Sequence, residues 1–345
     1  MDLVLPCHGG EGWFGMADCE EGVRMGLRSW LGTRKRVSPS SRPSAGSKRL
    51  AKPRGKRKGR FQMFVDERGV PYSDYSAYSV EGEQRSILSV AERGLWYWNE
   101  FGLGEGPAPL LSYNWQKWPV NKELAPVGRD AARSMLFNCA GWLLDEVFQK
   151  DGFLVWVYPY RFSYDTRPGW RSSHAQAAGM QLLARAALLS QDNMYSAPID
   201  GLLAAFSVPV EHGGVLVQTE GGKPWFEKIA DEENEQPRVL NGMMFAVLGL
   251  FDIAQLLQKE EPERLAREGL EAVLEQLPRY DLGNWTSYDI FGRQASPHYH
   301  LIHIRQLHRL YEITNDSRLV AWRDRFKSYD ARLKKGAASP TSALG

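Results

Sequence analysis

Residues 239–277 read VLNGMMFAVLGLFDIAQLLQKEEPERLAREGLEAVLEQL, and this stretch decides the fold class. Leu240, Met243, Met244, Val247, Leu248, Phe251 and Ala254 recur at three- and four-residue spacing, which predicts a helix over 239–258. Leu265, Gly269, Leu270, Val273 and Leu277 repeat the period over 262–277, where Pro262 sits at a first-turn position. Two amphipathic helices joined by a few residues form an antiparallel hairpin, because the short connection returns the second apolar stripe onto the first.

The pattern recurs on both sides. Helices are expected over 83–101, ended by Gly102 and Gly104, and over 129–149, where Ala132, Leu136, Cys139, Leu143 and Phe148 share one stripe. Others are expected over 174–189, 197–206, 298–313 and 317–333. Residues 153–158 look strand-like, and 215–219 with 224–229 flank Gly221-Gly222 as a β-hairpin. The expectation is an all-α dominated chain, an (α/α) toroid or barrel of about nine helices in hairpins, with a small β-hairpin and long aromatic loops. A plain bundle would use shorter connections. No fixed-period repeat is visible, which argues against a solenoid of the tetratricopeptide type.

Charge divides the chain. Residues 1–62 carry 14 Lys+Arg and 5 Asp+Glu; the remainder carries 29 and 36. A Ser/Pro/Gly/Lys/Arg-rich segment buries too little apolar surface to offset its ordering entropy. Residues 1–62 are therefore expected to be a disordered basic tail, or untranslated sequence before a start at Met63. Residues 63–335 are expected to be the barrel and 336–345 a second tail. The mildly acidic body argues against a nucleic-acid partner. Cys7, Cys19 and Cys139 form neither a disulfide framework nor a zinc spacing. No apolar run approaches the ~20 residues of a bilayer span, so no integral membrane segment is expected. The first 16 residues lack a signal-peptide pattern, which points to a cytoplasmic or peripherally membrane-associated chain.

Five motifs stand in order: PGWRSSHAQAAGMQLLARA (168–186), PWFEK (224–228), VLNGMMFAVLGLFD (239–252), LPRYDLGNWTSYDI (277–290) and HYHLIHIRQL (298–307). Together they resemble the C-terminal domain of the D-glucuronyl C5-epimerase family, over roughly residues 130–330. The resemblance implies an (α/α) barrel that converts D-glucuronate to L-iduronate in heparosan-type polysaccharide. It implies no cofactor, a uronate-containing polysaccharide as partner, and tyrosines as acid/base groups beside a cationic carboxylate clamp. The family tyrosines fall on Tyr288 and Tyr299, the two candidate catalytic residues. A third family tyrosine falls on Ile229, the Glu before it on Lys228, and a family Arg on Phe291. Gln84, Arg85 and Ser86 stand where the family is aromatic.

C5 epimerisation removes a proton alpha to a carboxylate and returns one to the opposite face, so two groups must flank the sugar. A phenol acting as base must be brought from ~10 toward 7, about 4 kcal/mol. Ser296-Pro297 reads as a helix start that places Tyr299 in the first turn, where the dipole favours an anion. Tyr288 is then the candidate for the opposite face. The bland alternative is a pair of hydrogen-bonded structural tyrosines. Candidate substrate-binding residues are Arg171, His174, Trp225, Glu227, Lys228, Asn241, His300, His303 and Arg305. Lys228 is the titratable group nearest Ile229 and would need burial to serve as a base. Trp170, Trp225 and Trp285 are stacking candidates, with core packing the commoner use. His298, His300, His303 and His308 lie close together but have no carboxylate between 290 and 311, so polar lining is preferred over metal. A carbohydrate-binding protein without catalysis and a uronan lyase are the alternatives on the same barrel. Dimerisation stays open.

Overall fold

The computed structural model describes residues 62–74, 82–112 and 128–336. The basic segment 1–61, Tyr75, Tyr78, Trp115, Trp118 and the end at 337–345 lie outside the described residues. Strands are short: β1 (Gln62–Val65), β2 (Pro71–Asp74) and β3 (Glu83–Gln84) form one antiparallel sheet, β4 (Phe148–Lys150) with β5 (Phe153–Val155) a second, and β6 (Leu216–Gln218) with β7 (Pro224–Phe226) a third. Helices make up the rest: α1 (Ile87–Glu100), α2 (Arg129–Asp145), α3 (Ser173–Ser190), α4 (Asn193–Ser196), α5 (Ile199–Ala204), α6 (Leu240–Leu257), α7 (Glu260–Gln276), α8 (Pro297–Thr314) and α9 (Ser317–Gly336).

Packing follows hairpin order. α1 lies against α2 and α3, α3 against α6, α6 against α7 and α8, and α8 against α9. This is an (α/α) toroid arrangement, with α1, α3, α6 and α8 as the inner row and α2, α7 and α9 behind it. The short α4 and α5 back α3. Composition explains who is inside. Every residue of α3 from Ser173 to Ala186, and of α6 from Leu240 to Ala254, is buried. A helix that is apolar around its whole circumference must be covered on every side. α6 has the length and apolarity of a membrane span, yet it is the buried centre of this layer. α7 buries one face only, through Leu265, Ala266, Gly269, Leu270 and Val273. Its other face carries Glu261–Arg264, Arg264–Glu268 and Glu263–Arg267 pairs, each worth a few tenths of a kcal/mol.

Three expected boundaries move. The helix expected from residue 83 begins at Ile87, because Ser86 caps it and Glu83–Gln84 pairs into the first sheet. The helix expected to reach residue 149 stops at Asp145. Phe148–Lys150 turns back on Phe153–Val155 around Gly152 (φ 83°), and Val155 is buried against Ala205. Residues 197–206 break into α5 and a 3-10 turn at Ala205–Ser207. Cys139 is fully buried, and burial pushes its thiol up to about 12, so it is inert at neutral pH.

Candidate functional site

A cavity of about 420 Å³ opens where the inner helices begin. Its lining includes Ser86 and Leu88 at the start of α1, Ser172 and His174 at the start of α3, Asn241 in the first turn of α6, and Ser296, His298 and Tyr299 at the start of α8. Ser86, Ser172 and Ser296 each accept a hydrogen bond from the backbone N–H three residues on, at 3.3–3.4 Å. At the start of α6 the capping position is Val239, which offers no side-chain cap. Four helix N-termini thus surround one cavity, each contributing a partial positive charge of up to about half a unit. Such a place favours an anion.

Two connections close the walls. The 286–294 loop is tied to the approach to α6, because Leu240 N donates to Tyr288 O and Ile290 N to Pro237 O. It is tied to α8 by Thr286, whose hydroxyl meets His300 Nδ1 at 2.9 Å and His303 Nδ1 at 3.1 Å. Asp289, fully buried, accepts from Phe291 N, Arg293 N and the Tyr164 hydroxyl, the last at 2.6 Å. Tyr164 holds a left-handed backbone (φ 62°) to make that bond, a strained conformation for an aromatic residue. The other wall is aromatic. Tyr158 and Trp170 stack at 4.0 Å, Phe162 covers Trp170 at 5.6 Å, and Leu88 N donates to the Tyr158 hydroxyl.

Tyr288, Tyr299 and Lys228 meet in this cavity. The phenol rings lie 4.8 Å apart at 52°. Lys228 Nζ donates to Tyr288 Oη at 3.2 Å and lies 5.5 Å and 5.7 Å from the two ring centres. The pair therefore shares one wall, whereas the sequence reading places the phenols on opposite faces of a substrate. Loop tethering is the reason: the loop carrying Tyr288 hydrogen-bonds to the start of α6 and is tied to α8, on which Tyr299 stands. Burial pushes Tyr288 up to about 12, partly countered by its hydrogen bond with Tyr299. Tyr288 therefore keeps its proton at neutral pH. Burial lowers Lys228, while Tyr299, Glu92 and Glu227 partly restore it.

The remaining candidates divide. His174 and Asn241 line the cavity with Lys228. His174 stacks flat on Phe245 (4.2 Å, 2°), and its Nε2 lies 3.6 Å from Glu92 Oε1. Asn241 is 1% exposed, and neither atom of its side-chain amide has a hydrogen-bond partner. Arg171 is turned away from the cavity. Its guanidinium donates to Val210 O, Gly214 O, Gly169 O and Glu232, so it locks the 209–214 turn instead of meeting a substrate. Trp225 is fully buried against Tyr280 at 5.8 Å, and Trp285 stacks on His300 at 3.8 Å. Of the three tryptophans proposed for stacking, Trp170 alone lines the cavity.

Glu227 is also internal. Its carboxylate accepts from Ile229 N and Arg238 N, and burial pushes it up to about 7. It clamps the hairpin end and thereby fixes Lys228 next to it. His300 and His303 are both buried and hold Thr286; burial takes His303 down to about 3, so it stays neutral. Arg305 is exposed on α8. Among the described residues no group of three His, Cys, Asp or Glu is placed to hold a metal.

Several residues of the site escape a reading of the sequence. Glu92 lies inside a helix stripe, where a carboxylate reads as solvated, yet it is 1% exposed and accepts from Ser112 N at 2.8 Å. Arg293 lines the cavity, stacked 4.5 Å over the Tyr164 ring and 3.4 Å from Asp289. The Ser-x-x spacing before each of three helices was the available signal for the caps.

Known proteins match over the same region. The profile of the D-glucuronyl C5-epimerase C-terminus covers residues 150–328. An uncharacterized protein of Methanocaldococcus jannaschii is 34% identical over 176 residues, which are 50% of this chain and 56% of that protein. A D-glucuronyl C5-epimerase of Caenorhabditis elegans is 26% identical over 251 residues, 66% of this chain and 40% of that protein. The chain thus spans about half the length of these relatives. A D-mannose isomerase structure superposes with a TM-score of 0.44 at 10% identity, over 72% of this chain and 61% of that one. An α-mannanase of Bacteroides thetaiotaomicron gives 0.39 at 13%, over 69% and 54%. With more than half of its length inside the matched profile, this chain belongs to the D-glucuronyl C5-epimerase C-terminus family.

Proposed function

We propose that the chain removes and returns the C5 proton of a hexuronate residue, converting D-glucuronate to L-iduronate units in a heparosan-type polysaccharide. The observation that carries the reading is the cluster of Lys228, Tyr288 and Tyr299 in one cavity at the N-terminal ends of four inner helices. A cavity of this size falls within the ~300–1,000 Å³ common for ligand sites.

The chemistry asks for three things. The substrate carboxylate must be held and its growing charge neutralised, since the C–H electron pair moves into it as the proton leaves. The ammonium of Lys228 and the helix N-termini provide positive charge on the side where α6 begins. The unpartnered amide of Asn241 adds an NH2 group with two N–H donors and a carbonyl acceptor at the same place. A proton must then be delivered to carbon. Tyr288 keeps its proton at neutral pH, and Lys228, within hydrogen-bond reach, stabilises the tyrosinate that delivery leaves behind. The Tyr158–Trp170–Phe162 stack gives the cavity an apolar wall suited to the face of a sugar ring.

The test is proton exchange in heavy water. Heparosan and other uronans incubated with the chain should gain deuterium at C5, and L-iduronate should appear by NMR. Absence of both on every uronan would overturn the reading. Unsaturated products absorbing in the ultraviolet would replace it with a lyase.

A further inference from the structure

We propose that His174, oriented by Glu92, is a catalytic base that works from the flank opposite the two phenols; the inference rests on the reading of the cavity as a C5-epimerase site. Inversion at carbon needs groups on both faces of the sugar. Tyr288 and Tyr299 supply one face only, since their rings are neighbours on one wall. The inner helices stand in the order α1, α3, α6, α8. Tyr299 belongs to α8 and Tyr288 to the loop tethered to it. His174 and Glu92 belong to α3 and α1, at the other end of the row, with Asn241 of α6 between them.

The pair has the build of a histidine base with its orienting carboxylate. Glu92 Oε1 lies 3.6 Å from His174 Nε2 and is fixed by Ser112, whose backbone N–H donates to it at 2.8 Å. The imidazole is held flat on Phe245. A carboxylate beside Nε2 selects the tautomer with its proton there, which leaves the lone pair on Nδ1. Nδ1 has no hydrogen-bond partner within the protein and is itself shielded from solvent, while the residue as a whole, 3% exposed, lines the cavity. Burial lowers the imidazole from its ordinary value, partly countered by Glu92, which favours the neutral ring at neutral pH.

The step balances. Nδ1 takes the C5 proton of one epimer, and the C–H electron pair passes into the carboxylate as an enediolate. Tyr288 Oη then delivers its proton to the opposite face, and the same electron pair forms the new C–H bond. The imidazolium returns its proton to solvent and the tyrosinate takes one up, so nothing is oxidised. In the reverse direction the tyrosinate form of Tyr288, held beside the Lys228 ammonium, takes the C5 proton and the imidazolium of His174 delivers one to the opposite face.

H174Q and E92Q, checked for folding by thermal melts, would be incubated in heavy water separately with D-glucuronyl and L-iduronyl substrates. Inversion should fall roughly 100-fold or more in H174Q, the span general acid–base groups contribute. C5 exchange should persist from one epimer alone, the one deprotonated from the phenol wall, and Y288F should show the mirrored preference. E92Q should lower kcat with little change in KM, and the double variant should lose little more than H174Q, as residues acting as one unit do. If H174Q fails to fold, E92Q carries the test through the same epimer ratio. Inversion that survives H174Q, or an equal loss from both epimers, overturns the assignment and leaves the epimerase reading intact. A wild-type chain that exchanges neither epimer overturns both.

Discussion

A methyl group on Gly242 would stand 2.3 Å from Cβ of Lys228, so the stem of that lysine lies directly on the first turn of α6. Close approach of hairpin and helix is what delivers the ammonium to the phenols. G242A should therefore cost about 1–3 kcal/mol of stability through overpacking. It should also reduce C5 exchange at least tenfold, because Lys228 must move. Urea denaturation and the exchange assay check both; full exchange in a destabilised G242A chain would remove Lys228 from the mechanism.

The Lys228–Tyr288 contact sets the expected pH profile. Tyr288 keeps its proton up to about 12, so it imposes no alkaline limit below that. Lys228 is lowered by burial and loses its charge as pH rises through a value under 10.5. The wild-type rate should fall on the alkaline side at that point. K228R should abolish this limb, because a guanidinium holds its proton. Y288F should lower the rate by roughly 100-fold at all pH values while leaving the melting temperature nearly unchanged.

Glu227 and His303 give opposite slopes of stability against pH. Glu227 is raised from 4.5 to about 7, so its contribution is fully present below 4.5 and is lost as pH rises through 7. His303 is lowered from 6.5 to about 3, so its contribution is present above 6.5 and is lost as pH falls toward 3. Between 4.5 and 6.5 the two oppose each other. E227Q should unmask the histidine, and its stability should then climb with pH across that window and level off above 6.5. Denaturation midpoints at several pH values measure the slope; a flat E227Q profile would contradict the burial of His303.

Asp252 joins α6 to α3 through Arg185, with N–O distances of 2.6 Å and 3.1 Å, and also accepts from Gln181. The same guanidinium donates to Pro107 O, in the segment that carries Ser112 toward Glu92. D252A leaves a buried, unpaired guanidinium and should cost about 3–5 kcal/mol. Urea denaturation gives the figure, and a loss under about 1 kcal/mol would show that water reaches Arg185.

The helices and their pairing were legible in the order of residues, because a period of 3.6 in apolar side chains is a local property that burial then obeys. The repeated stripe from Leu240 to Ala254 and the Ser296-Pro297 start of α8 are of this kind. Gathering of Tyr288, Tyr299, His174, Asn241 and Lys228 at one cavity was legible only as motif resemblance, since these residues are far apart along the chain. What tertiary structure alone decided is where each group stands around the cavity. Tyr288 and Tyr299 became neighbours because a loop is bonded to α6 and tethered to α8, and Tyr288 holds its proton more tightly because it is buried. Glu92 became part of the site because α1 turns it inward toward α3. Arg171 and Glu227 left the site because backbone carbonyls and amides claimed them. Protonation and direction depend on neighbours distant in sequence, and no local pattern encodes them.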